Sequence, residues 1–172
     1  MAKLSRQMRK IPTSKSEAIA ITAKRQAKII LGTEALLQSL CVRSFAEKYP
    51  EKRGRLWANF SNPKIEQYNT WLSMGFVEGT SDLLYTDDWK RLVALECKHP
   101  EMLHKIDHVK KQANWIINNC HSGGFFTSVE MFFDIIEGRN NGIDPRRVLE
   151  HISEMEKFSK KRTVMFKDLL DL

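Results

Sequence analysis

Gly79-Thr-Ser-Asp82-Leu-Leu-Tyr85-Thr-Asp-Asp88-Trp-Lys-Arg91-Leu-Val-Ala-Leu-Glu96-Cys-Lys98 reads as two short strands folded back on each other. The strands are expected at Asp82–Tyr85 and Arg91–Cys97, and Thr86-Asp-Asp88 between them supplies side chains that hydrogen-bond their own backbone in turns. Leu92-Val-Ala-Leu95 is apolar at successive positions, as expected of a central strand buried on both faces. Glu96 and Lys98 follow two residues apart, so their side chains leave the same face of the sheet. Asp82 opens the opposing strand, and a hairpin brings it beside them. Ending a buried strand on an acid and a base costs desolvation energy unless the pair lines a wet cleft. The competing interpretation is an ordinary edge salt bridge.

Toward the C-terminus, Leu103, Ile106, Val109, Ala113 and Ile116 predict a helix over 101–119, closed by Gly123-Gly124. Phe125-Phe-Thr127 is a third-strand candidate. Thr127-Ser-Val-Glu130 matches a capping box and opens a helix through Ile136 that Gly138 stops. Asp144-Pro145 supplies the N-cap and N1 proline of a last helix over about 145–160. Toward the N-terminus, residues 55–60 read as a short strand and a polar stretch to about 70 as loop. Leu36, Leu37, Leu40, Cys41 and Phe45 share one face of a helix over 34–48, with Thr33 as N-cap and Tyr49-Pro50 as its end. A further helix is expected over 17–30, after a weakly ordered start at 1–13. Strands interleaved with helices indicate a small α/β domain with a mixed sheet.

The chain has 172 residues, room for one domain with a short appendage at either end. Its net charge is +7, and residues 1–28 alone hold eight basic groups against one acidic. The remainder is neutral, so the charge sits on a basic N-terminal arm, residues 1–30. Such an arm suits a polyanion through phosphate contacts and counterion release; a solubilising tail is the plainer alternative. No apolar run approaches the roughly 20 residues that span a bilayer, so no membrane association is expected. Cys41, Cys97 and Cys120 form no CxxC pair, which argues for a reducing cytosol and against a structural zinc site.

Phosphodiester hydrolysis needs a divalent cation to offset phosphate charge and to lower the pKa of an attacking water. Mg²⁺ takes few protein oxygens and keeps several waters. Two carboxylates on adjacent strands with a lysine beside them make a minimal site, and Asp82, Glu96 and Lys98 supply that set. Gly79-Thr-Ser-Asp82, the hairpin and Glu96-Cys-Lys98 resemble the PD-(D/E)XK nuclease motif, with Ser81 in place of the usual proline. Flanking elements narrow the resemblance to the VRR-NUC branch: Glu34 on a first helix, Gln112 on the helix after the E-x-K strand, and the small strand and helix from Phe125 to Ile136. It covers about residues 33–137.

The resemblance implies a restriction-endonuclease-like core over 31–138, a small mixed sheet flanked by helices, with the arm before it and a helical extension over 139–172. It implies a Mg²⁺- or Mn²⁺-dependent DNA endonuclease, with branched junctions among its substrates, working in a bacterial or phage-infected cytosol. Small stand-alone members look like homodimers. Asp82 and Glu96 would bind the metal, with the Cys97 backbone carbonyl contributing. Lys98 would position or polarise the attacking water. Gln112 would orient water or phosphate, and Glu34 would be an outer or second-metal ligand, or else a solvated acid favoured at a helix N-terminus. The rivals are a DNA-binding or inhibitory module that keeps the fold without catalysis, and a regulator reading DNA through Arg146 and Arg147. His104 and His108, four apart on the expected helix, read as an exposed pair rather than ligands. Cys97 reads as sheet core, and Trp115, Phe125, Phe126, Phe132 and Phe133 read as core packing rather than base-stacking groups.

Overall fold

The computed structural model describes residues 33–59, 77, 79–139, 142–159 and 162–170. The expected arm, the helix over 17–30 and the loop to about 70 lie outside them. Residues 34–172 form one compact unit, a mixed α/β fold with four α-helices among the described residues. Helix α1 (Glu34–Lys48) leads through a 3-10 turn (Pro50–Lys52) to β1 (Leu56–Ala58). The hairpin β2 (Leu83–Thr86) and β3 (Leu92–Cys97) follows, then β4 (Leu103–Lys105), α2 (Ile106–Asn119), β5 (Ser122–Phe126) and α3 (Val129–Ile136). The chain continues through α4 (Pro145–Phe158), β6 (Thr163–Met165) and a 3-10 turn (Phe166–Leu169).

The main sheet has the order β1-β2-β3-β5. β1, β2 and β3 are antiparallel neighbours, while β3 and β5 run parallel with α2 as the crossover. That connection needs a helix, because parallel strands cannot be joined by a tight turn. The alternation of side chains along the strands divides the core in two. Leu83, Tyr85, Val93, Leu95 and Cys97 pack with Cys41 and Phe45 of α1 and Phe132 of α3. Ala94 and Phe125 pack on the other side with Val109, Ala113 and Ile116 of α2 and with Val148 and Ile152 of α4. By the same alternation Glu96 falls on the α2 side, and this is what positions the site.

Three local expectations need correction. The stretch over 101–119 is not one helix: Leu103–Lys105 pairs antiparallel with β6, and α2 begins at Ile106. Leu103 is 64% exposed, so it never belonged to the apolar stripe. The strand that claims it lies some 60 residues on, beyond any local periodicity. Gly123 and Gly124 do not close that helix but lie in β5. At Gly123 φ is +151° and a Cβ would collide with the backbone of Ala94, so only glycine lets β5 approach β3 there. Finally, α3 is capped by Ser128, whose Oγ accepts from the Met131 N–H at 3.2 Å; the Thr127 hydroxyl turns instead to the Met131 sulfur at 3.3 Å. Asp144 and Pro145 start α4 as expected, the Asp144 carboxylate accepting from the Arg146 N–H at 2.7 Å. Among the described residues no helix is long and apolar enough to cross a membrane.

Candidate active site

The open end of the hairpin gathers Asp82, Glu96, Lys98 and Gln112 into one hydrogen-bonded cluster. Asp82 precedes β2, and its Oδ2 accepts the Cys97 N–H at 3.0 Å. The Asp82 N–H in turn donates to Glu96 Oε2 at 3.1 Å, so the two acidic residues are tied through each other's strands. Lys98 Nζ donates to Glu96 Oε1 at 2.6 Å, and Gln112 Nε2 donates to the same oxygen. Gln112 reaches it because α2 lies on the face that Glu96 and Ala94 share. From α1, the Gln38 amide donates to the Asp82 carbonyl at 3.4 Å. Gly79, with φ +83°, packs so closely on α2 that a Cβ would lie 2.9 Å from Lys111 backbone. A side chain there would push the turn that leads into Asp82 off the helix.

The cluster is not the wet cleft that the sequence suggested. Glu96 is fully buried and Lys98 only 3% exposed. The pair avoids an uncompensated charge by making an ion pair with three donors on the carboxylate. Burial, with the Asp82 charge adding to it, pushes the Glu96 carboxyl up to about 8 against the pull of Lys98. Burial also raises Asp82, opposed by Lys98 and by the Cys97 N–H. Burial alone would lower the Lys98 ammonium, but the charges of Glu96, Asp82 and Glu34 outweigh it and raise the group instead. Among the described residues, the buried Ser81 Oγ and Gln112 Oε1 find no hydrogen-bond partner. Leaving such atoms unpaired costs about 1–3 kcal/mol each.

Glu34 lies beside this cluster rather than in it. Its Oε1 accepts the His99 N–H at 3.0 Å and lies 3.7 Å from His104 Nδ1. His104 belongs to β4 and His108 to α2, so they are not a pair on one helix. His104 Nε2 bonds the His99 carbonyl at 3.0 Å. His108 sits one helical turn before Gln112, and the charges of Lys98, Asp82, Lys111 and Glu34 all reach it. His108 is exposed on α2, and partial desolvation first, then the Lys98 charge, lowers its pKa. Sequence reasoning missed this neighbour, although the four-residue spacing to Gln112 is a readable signal. Cys97 points away from the cluster, its thiol bonded to the Glu34 carbonyl at 3.5 Å. Burial and the Asp82 and Glu34 charges push that thiol up, far from a thiolate nucleophile.

Among the described residues no three His, Cys, Asp or Glu side chains converge on one point. The oxygens gathered here are the Asp82 and Glu96 carboxylates and the unpartnered Gln112 Oε1. These are hard oxygen donors of the kind Mg²⁺ and Mn²⁺ take, and Asp82, half-buried, is the one of the three that reaches solvent. Comparisons with protein-family models, with curated proteins and with solved structures find no significant match.

Proposed function

We propose that this chain is a Mg²⁺- or Mn²⁺-dependent endonuclease that hydrolyses DNA phosphodiesters, with a restriction-endonuclease-like core of the VRR-NUC type. The observation that carries this proposal is the convergence of Asp82, Lys98 and Gln112 on the single Glu96 carboxylate, Lys98 and Gln112 on Oε1 and the Asp82 N–H on Oε2. These four come from three separate elements, and a structural salt bridge needs only two of them. Gln112 Oε1 and Ser81 Oγ supply polar valence that the described residues leave unused.

Asp82 and Glu96 would hold the ion, with Gln112 Oε1 within the same group of donors. When bound, the ion supplies positive charge to the scissile phosphate and acidifies an attacking water. Lys98 stays protonated beside Glu96. Its ammonium orients the water and faces the negative charge that develops on the phosphate. Gln112 holds the Glu96 carboxylate in one rotamer through Nε2 and leaves Oε1 to accept from water. Glu34 fixes the backbone of His99, the residue after Lys98, and so steadies the loop leaving β3. Two copies of the chain would place two such sites on two strands.

A second reading is a DNA-binding module without catalysis. What favours it is the burial of Glu96 and Lys98, already satisfied by one another. Incubation with duplex, single-stranded, flap and four-way junction DNA, with Mg²⁺, Mn²⁺ or EDTA, separates the two. Cleavage that needs the metal and vanishes in Glu96→Gln supports the nuclease. DNA binding without cleavage under every condition leaves the module.

A further inference from the structure

The far end of the same hairpin carries features that the proposed chemistry does not use. Trp89 is 75% exposed at the tip, so it contributes little to either core. A single exposed aromatic is ordinary; what sets this one apart is how firmly it is presented. Asp87 Oδ1 accepts from the N–H groups of both Trp89 and Arg91, at 2.9 and 2.8 Å. Its Oδ2 accepts from Arg91 Nε at 2.7 Å. The backbone closes around this carboxylate, with Lys90 N–H donating to the Asp87 carbonyl at 3.1 Å and Asp87 N–H to the Arg91 carbonyl at 3.0 Å.

The Arg91 guanidinium, fixed by that bond, lies 4.6 Å from the Trp89 ring centroid. Lys90 adopts φ +61°, the left-handed conformation that a three-residue hairpin loop requires and that glycine usually supplies. The tip therefore accepts backbone strain and keeps a basic side chain where glycine would be easier. From the neighbouring 3-10 turn and the residues after it, Lys52 and Arg55 both reach Asp88, Lys52 at 2.9 Å. Segments 51–55 and 87–91 together hold five basic residues against three acidic ones.

We infer that this tip is a stacking platform for an unpaired nucleobase, with Trp89 as the stacking face and Lys90, Arg91, Lys52 and Arg55 drawing in the strand. An exposed indole flanked by the Arg91 guanidinium, on a tip where basic residues outnumber acidic ones, matches a base and its phosphates, since every base has a π-face and stacking tolerates sequence. The partner's identity as nucleic acid rests on the nuclease reading. Five residue steps lead from Arg91, just before β3, to Glu96, about 17 Å at the usual rise. That is about five nucleotide steps of a helical strand at 3.4 Å each. The platform would thus grip DNA that is open about five nucleotides from the scissile phosphate, favouring ends, flaps and junctions over continuous duplex.

The test compares the parent protein with Trp89→Ala and Trp89→Phe, using Ca²⁺ in place of Mg²⁺ to keep the DNA intact. The probes are a single-stranded oligonucleotide, a duplex with a single-stranded overhang and the blunt duplex. Trp89→Ala is expected to weaken binding of the first two by about tenfold and of the blunt duplex by less than about twofold. Trp89→Phe keeps a ring and stays near the parent, while the DNA-induced quenching of tryptophan fluorescence falls. Melting temperatures of all three proteins should coincide. Equal affinities for parent and Trp89→Ala on DNA that the parent binds and cuts overturn the platform and leave the nuclease standing. An equal loss on all three DNAs also overturns it, because stacking needs an open base. A changed sedimentation mass with unchanged DNA affinity makes the tip a protein contact instead. A parent that neither binds nor cuts any of these DNAs overturns both readings.

Discussion

Removing the Glu96 side chain takes away the acceptor on which Lys98 and Gln112 both converge. Glu96→Ala should therefore lower stability by about 3–5 kcal/mol, the usual cost of stranding one partner of a buried pair. Urea unfolding measures this, and a loss below about 1 kcal/mol would mean that water enters the cluster freely. The pH dependence follows from the same residue. A carboxyl raised in the fold holds its proton more tightly than in the unfolded chain, so its stabilising contribution is full below about 4.5, its ordinary value. That contribution is lost as pH climbs to about 8. Asp82 shifts in the same direction, whereas the raised Lys98 loses its contribution only at higher pH, above the ordinary lysine range. Metal-free protein should thus weaken between pH 5 and 8, by on the order of a few kcal/mol. Glu96→Gln should remove most of that decline; an unchanged slope would assign it elsewhere. For Lys98→Ala, single-turnover cleavage at saturating DNA should fall about a hundred- to a thousandfold with little change in affinity. Lys98→Arg should restore little, because a planar guanidinium does not fit the 3% exposed site of a compact ammonium. Equal proportional loss of affinity and rate would make Lys98 a phosphate anchor only.

The hairpin is the element on which both readings depend, and its tip has a measurable cost. Lys90→Gly should raise stability by about 0.5–1 kcal/mol by relieving the left-handed residue, the gain being trimmed by the greater freedom of glycine in the unfolded chain. Thermal melting checks the sign, and a fall would show that the Lys90 side chain itself stabilises the turn. The hairpin was legible from local pattern, as were α1 and α4. Apolar periodicity marked α1, and for α4 an Asp-Pro start marked the first turn. The ribbon of β4 and β6 was not. Each strand has three residues, too few to show alternation, and each exists because the other satisfies its backbone. The register of β5 was equally hidden, since Gly123 reads as a breaker until Ala94 is seen against it.

At the scale of the whole chain, the charge lies far from the proposed chemistry in sequence. Residues 1–28 carry as much net positive charge as the entire protein, +7. Deleting them should weaken DNA binding by roughly one to two orders of magnitude near physiological salt and flatten the slope of log affinity against log salt by about 3 to 4. Turnover at saturating DNA should survive, because every proposed catalytic residue lies beyond Thr33. If the truncated protein instead melts earlier or changes sedimentation mass at an unaltered slope, residues 17–30 act by packing rather than by charge.

Residue chemistry and short-range pattern were enough to bring Asp82, Glu96 and Lys98 together on a hairpin and to give the mixed α/β class, because spacings of two and about fifteen residues encode the faces and pairing of strands, whereas Gln112 was singled out only by the family resemblance. Burial of the site was not readable that way. Whether an acid at the end of an apolar strand meets water depends on what covers it, and the cover here is α2, together with its Gln112. His108 joined the site's neighbourhood for the same reason, once α2 was seen to begin at Ile106 rather than five residues earlier. The sequence by itself determined which groups are available for chemistry. Only the tertiary structure decided their solvation, and with it their charge, because desolvation is set by the packing of segments that are distant in the chain.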